Sequence, residues 1–127
     1  MIKFDHIEVH VKDTAKYAEF LKLLMGNGRS KKISDSGTQM FVSADDIHIE
    51  IKQSKDSERT FDVKNDVGFC LPCLRMKGAL DHLQSIDGIE IVSQSDNPDG
   101  PVYFFKDYEG IIWHIKDYEI QDIYINI

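Results

Sequence analysis

Histidine and carboxylate recur at every second position in two stretches of this chain. His6-Ile7-Glu8-Val9-His10 and His48-Ile49-Glu50-Ile51-Lys52 both alternate strictly. Successive side chains of a β-strand point to opposite faces. Each stretch therefore sets imidazole and carboxylate on one face and Ile or Val on the other. Those two groups ligate Zn, Ni, Fe or Mn, and both can carry a proton. His114 stands in the same way between Trp113 and Ile115. Four of the five histidines (His6, His10, His48, His114) thus lie opposite apolar strand faces, and Glu8, Glu50, Asp66 and Cys70 join them. Only His82 falls in a helical stretch. An antiparallel sheet commonly keeps one face in water, so the alternation by itself requires no ligand.

The elements that must position these groups can be read in order. A strand is expected over 2–11. Asp13 or Thr14 can cap a helix over roughly 15–25, where Tyr17, Phe20, Leu21 and Leu24 recur at helical spacing. Gly26-Asn27-Gly28 closes it. Strands are expected over about 29–35, 38–43 and 47–52, followed by a polar linker over 54–65. The order then starts again. A strand is expected over 66–71, a helix over 76–86, and strands over 89–94, 102–106 and 111–116. Turns are expected at 95–101 and 107–110. The tail 118–127 reads as an edge strand or a dimer arm. The chain is thus β-α-β-β-β twice, repeat one over about 1–53 and repeat two over about 66–117, within a single domain of 127 residues. His6 and Asp66 open the repeats, and Glu50 and His114 stand in their closing strands.

This layout resembles the vicinal oxygen chelate superfamily, also called the glyoxalase/bleomycin resistance/dioxygenase group. Asp5-His6-Ile7-Glu8-Val9-His10-Val11-Lys12-Asp13 is similar to that family's opening strand. Asp107-Tyr108-Glu109-Gly110-Ile111-Ile112-Trp113-His114-Ile115 is similar to its closing turn and strand. The resemblance covers residues 1–117. It implies an α+β fold in which two βαβββ repeats form a curved, mixed sheet around a cleft, with helices on the outer face. It further implies up to four ligands for a divalent metal, which carry over here to His6, Glu50, Asp66 and His114. The second repeat departs from the glyoxalase-like order of His then Glu, having Asp66 then His114. A metal in this family takes two neighbouring substrate oxygens, and a nearby carboxylate moves the proton. Glu50 and Glu8 are the candidates for that role. His10, His48, Cys70, Phe41, Tyr103 and Phe105 are the candidates to line a substrate cleft, and Trp113 is expected in the core. The resemblance thus implies a metal-dependent lyase or isomerase, with a metal-free binding or bleomycin-type resistance protein as the alternative. Many relatives pair their units across a homodimer.

The remaining features bound the reading. A net charge of −7 without clustered Lys and Arg argues against nucleic acid. No apolar run approaches the ~18 residues of a membrane span. With no export signal evident and two cysteines, a reducing cytoplasm is expected. Cys70-Leu71-Pro72-Cys73 has the C-x-P-C form of thioredoxin-like dithiol proteins. Residues 94–101, however, leave no room for the crossover helix that a parallel sheet of that kind needs. No G-x-S-x-G elbow and no phosphate-binding glycine loop is present.

Overall fold

The first alternating stretch forms strand β1 (Ile7–Val11) in a computed structural model that describes residues 1–54 and 70–117. The chain divides into two compact units, Met1–Arg59 and Thr60–Ile127, with one β-α-β-β-β set in each. This is the α+β architecture expected from the repeat. β1 begins at Ile7 and not at residue 2. Its ladder partner β4 (His48–Gln53) starts with the pair Ile7–Ile49, and among the described residues no strand pairs with the positions before it. Met1, Ile2 and Phe4 are accordingly exposed.

Helix α1 (Thr14–Met25) follows from its caps and its stripe. The Asp13 carboxylate accepts the Lys16 N–H at 3.0 Å, and Gly26 closes the helix at φ 76°, a left-handed conformation that glycine adopts without cost. Tyr17, Ala18, Phe20, Leu21 and Leu24 are buried, as is the apolar face of the sheet beneath, with Val9, Val11, Phe41, Ile49 and Ile51. The sheet has the order β1-β4-β3-β2, with β2 (Arg29–Lys32) and β3 (Gln39–Val42). β1 and β4 run parallel and the other pairs antiparallel. The chain enters β2 through Gly28 (φ 147°), where an added Cβ would lie 2.5 Å from the Phe41 ring.

The second unit repeats this plan as β5 (Cys73–Arg75), α2 (Ala79–Gln84), β6 (Glu90–Asn97), β7 (Gly100–Lys106) and β8 (Ile112–Lys116), in the order β5-β8-β7-β6 with β5 parallel to β8. Three expectations change. The opening ladder stands at Cys73–Arg75, later than the expected 66–71, of which 66–69 lie outside the described residues. The helix is shorter than 76–86, because Gly78 precedes it in the left-handed conformation and offers no side chain to cap it. The turn expected over 95–101 shrinks to Pro98-Asp99, because Ser95 and Asp96 pair with Val102 and Pro101, and Asn97 with Gly100. Tyr103 pairs with Ile115 and Phe105 with Trp113 on the buried face. The turn into β8 is pinned by Asp107, whose buried carboxylate accepts the Glu109 and Ile111 N–H groups and the Trp113 Nε1–H at 2.9, 3.0 and 3.1 Å. The tail 118–127 and the segment 55–69 lie outside the described residues.

Candidate functional site

In the first unit the closing strand lies beside the opening one. The β1–β4 register sets Glu8 against Glu50 and His10 against Lys52, on the face opposite Val9, Ile49 and Ile51. His6, at the mouth of β1, reaches diagonally across. Its Nε2 lies 3.1 Å from Glu50 Oε2, and its Nδ1 lies 2.6 Å from Asp5 Oδ2. The Lys52 ammonium bridges the carboxylates, 2.9 Å from Glu8 Oε1 and 3.4 Å from Glu50 Oε1. His10 Nε2 takes the other Glu8 oxygen at 2.7 Å. His48 lies on the same face but turns to Asp46, at 3.2 Å.

This is a donor set of metal-binding type. Among the described residues, His6, Glu8 and Glu50 form the one group of three such side chains, with a ligand atom from each within 4.8 Å of the others. Asp5 occupies one His6 nitrogen and so aims the other at Glu50, the role that an outer carboxylate plays behind a ligating imidazole. His6 and Glu50 fit a divalent cation. Glu8 fits less well, because Lys52 and His10 already engage both of its oxygens. The electrostatics agree. The Asp5 hydrogen bond raises the His6 pKa above its ordinary 6.5, with the Glu50 and Glu8 charges adding to it against partial desolvation. His10, then Lys52, hold the Glu8 carboxyl below the usual range, which makes Glu8 a weak base near neutral pH. Glu8 in turn raises the Lys52 ammonium, which stays charged.

The second unit places His114 where the first has Glu50, between two buried apolar residues of the closing strand. Cys73 pairs with it from β5, in the position of Glu8, and Phe104 pairs with it from β7. The Phe104 ring stacks on the imidazole, with centroids 5.0 Å apart and planes 6° from parallel. His114 Nδ1 is buried and finds no hydrogen-bond partner among the described residues. Burial lowers the His114 pKa, and the Pro72 carbonyl opposes that in part. The position corresponding to His6, two residues before Cys73, is Leu71. Asp66 lies outside the described residues.

Three expected lining residues are placed otherwise. Phe41, Tyr103 and Phe105 lie on the buried faces of their sheets, because their register partners are the core residues Ile49, Ile115 and Trp113. The aromatic on the His114 face is Phe104. Its signal was available in the sequence: once the 107–110 turn closes a hairpin with Trp113 in the core, parity buries Phe105 and turns Phe104 over. Lys52 and Asp5 were likewise passed over, although Lys52 continues the alternation of His48 and Glu50. The dithiol reading, already opposed by the missing crossover helix, gains no support from the thiols' placement. Both thiols are free and exposed, but Cys73 opens strand β5 and does not precede a helix directly. No helix N-terminus therefore lowers its pKa, which partial burial raises. Its thiol donates to the Leu74 carbonyl at 3.5 Å.

No known protein-family model and no curated protein matches the sequence. Solved structures do match the fold. A point mutant of the fosfomycin resistance protein FosX from Listeria monocytogenes, complexed with Mn(II) and 1S,2S-dihydroxypropylphosphonic acid, superposes with a TM-score of 0.69 at 20% identity, covering 94% of each chain. FosX from Mesorhizobium loti gives 0.65 at 15% identity, over 98% of this chain and 99% of that one. A glyoxylase/bleomycin resistance protein/dioxygenase domain from Frankia sp. EAN1pec gives 0.68 at 11% identity, over 94% and 99%. The chain has the fold of the vicinal oxygen chelate superfamily.

Proposed function

We propose that this protein is a divalent-cation-dependent, glyoxalase-like lyase or isomerase acting on a small substrate with neighbouring oxygens. One observation carries the reading: His6 Nε2 faces Glu50 Oε2 at 3.1 Å while Asp5 holds the other ring nitrogen. The FosX neighbour complexed with Mn(II) supports a cation of that kind. A bound Zn, Ni, Fe or Mn ion would supply Lewis-acid stabilisation of an oxyanion on the substrate. The chain's own part is to hold that ion through His6 and Glu50, with Asp66 and His114 proposed as the second repeat's donors. Glu50 is the carboxylate we assign to proton movement, and Glu8 ranks behind it because His10 and Lys52 tie it down. His10 and His48 remain candidate substrate contacts on the same face. We place the protein in the cytoplasm as a homodimer.

Elemental analysis of the purified protein, beside the His6→Ala/His114→Ala double variant, tests the site. Metal in the wild type and its loss in the double variant are expected. Full retention in the double variant sinks the assignment.

A second reading is favoured by Lys52, whose ammonium already neutralises Glu8 and part of Glu50. In that reading the protein binds a small molecule without metal, in the manner of a bleomycin-type resistance protein. Metal-free wild type that retains its ligand affinity after chelation would favour it.

A further inference from the structure

The first unit also holds a cavity of about 550 Å³ lined, among the described residues, by Ser36, Thr38, Lys52, Gln53 and Ser54. Its described lining is polar and carries one positive charge, that of Lys52. Every lining side chain can donate a hydrogen bond, three through hydroxyls, one through an amide and one through an ammonium. Among the described residues that line it none is acidic. Local pairing builds this wall. The β3–β4 ladder, with Gln39 opposite Ile51, brings Thr38 up to Lys52 at its end. The turn before β3 lines up the Ser34, Ser36 and Thr38 hydroxyls, with neighbouring oxygens 2.7 and 3.4 Å apart. That turn is tied down by the Gly37 N–H on the Ser34 carbonyl at 3.1 Å and by the Thr14 hydroxyl on the Gly37 carbonyl.

Lys52 belongs to both places. Lys52 lines the cavity, and its ammonium rests between Glu8 and Glu50. A divalent cation on Glu50 would share that carboxylate with a second positive charge, and the two would repel across a few ångströms. The lysine has a flexible four-carbon stem and three donors, so it can turn from Glu50 toward the hydroxyl wall.

We propose that this cavity seats the oxyanion of a small ligand, a phosphate or carboxylate group, and that Lys52 turns to it from Glu50 when a divalent cation binds. The proposal rests on the preceding reading, in which His6 and Glu50 hold the cation. It adds the anionic part of the substrate and the order of binding, cation first.

The test is calorimetric titration of the full chain with inorganic phosphate and with acetate, with and without Mn²⁺, whose own binding is followed separately by electron paramagnetic resonance. Phosphate or acetate is expected to bind at least about fivefold more tightly once Mn²⁺ is present, and the better of the two identifies the group. Lys52→Gln is expected to lose that anion about tenfold while binding Mn²⁺ at least as well as the wild type. Lys52→Arg is expected to retain it. Ser36→Ala, on the exposed turn, weakens the anion about threefold and leaves Mn²⁺ unchanged. If Mn²⁺ binds but Lys52→Gln takes the anion as well as the wild type, the cavity proposal falls alone. If the wild type binds no Mn²⁺, both readings fall.

Discussion

His6 gains its chemistry from its neighbours. Asp5 holds Nδ1, and Nε2 is left facing Glu50. If that orientation prepares a cation site, Asp5→Asn should weaken Mn²⁺ about tenfold and return the His6 titration toward 6.5. Unchanged Mn²⁺ affinity in a folded Asp5→Asn protein would make the Asp5 contact incidental. His114 is the opposite case. Its imidazole is half-buried against Phe104, and burial lowers its pKa. The two rings should therefore titrate on opposite sides of 6.5 in a histidine NMR titration. The linkage signs follow. The stability His6 contributes is fully present below 6.5 and is lost as pH rises through its raised value. For His114, stability is full above 6.5 and is lost as pH falls through its lowered value. The metal-free protein should thus weaken on acidification through His114, and His114→Phe should flatten that limb. An unaltered acid limb in His114→Phe would assign it to other groups.

At the level of elements, parity decided what the sequence could reveal. Helix α1 was legible almost to the residue, because Asp13, the Tyr17–Leu24 stripe and Gly26 all agree. The histidine face of β1 and β4 was legible from strict alternation. In the second unit the aromatic beside His114 was legible only once the hairpin register is followed, which buries Phe105 and turns Phe104 to His114. The described part of the second opening strand begins at Cys73, beyond the expected 66–71, because the ladder there is selected by the pairing of Cys73 with His114 and not by the local sequence. Two predictions belong at this level. Asp107→Ala removes an acceptor shared by two backbone N–H groups and the Trp113 indole. It should cost about 3 kcal/mol in denaturant unfolding and move the Trp113 fluorescence. A loss below about 1 kcal/mol would show that β8 is positioned by packing alone. Gly28→Ala places a methyl 2.5 Å from the buried Phe41 ring at a positive φ. A loss of about 2–3 kcal/mol is expected, and an unshifted unfolding midpoint would contradict that packing.

For the whole molecule, duplication explains why chemistry is found on both units yet differs between them. Each closing strand lies parallel to its opening strand, so corresponding polar positions face each other in both units, Glu8 with Glu50 and Cys73 with His114. The repeat was visible in the sequence because both halves keep the same element order. The exchange of Glu50 for His114 was visible too. What these residues touch was legible only in part: Asp5 adjoins His6 and Lys52 follows Glu50 by two residues, whereas Glu8 and Phe104 reach Glu50 and His114 through strand register. The central claim is that His6 and Glu50 together hold a divalent cation. Its most direct test is an equilibrium Mn²⁺ titration of chelator-stripped protein, read by electron paramagnetic resonance, for the wild type, His6→Ala and Glu50→Ala. Saturable binding by the wild type, weakened at least about tenfold in each variant, is the expected result. No binding by the wild type, or equal binding by all three proteins, would contradict it.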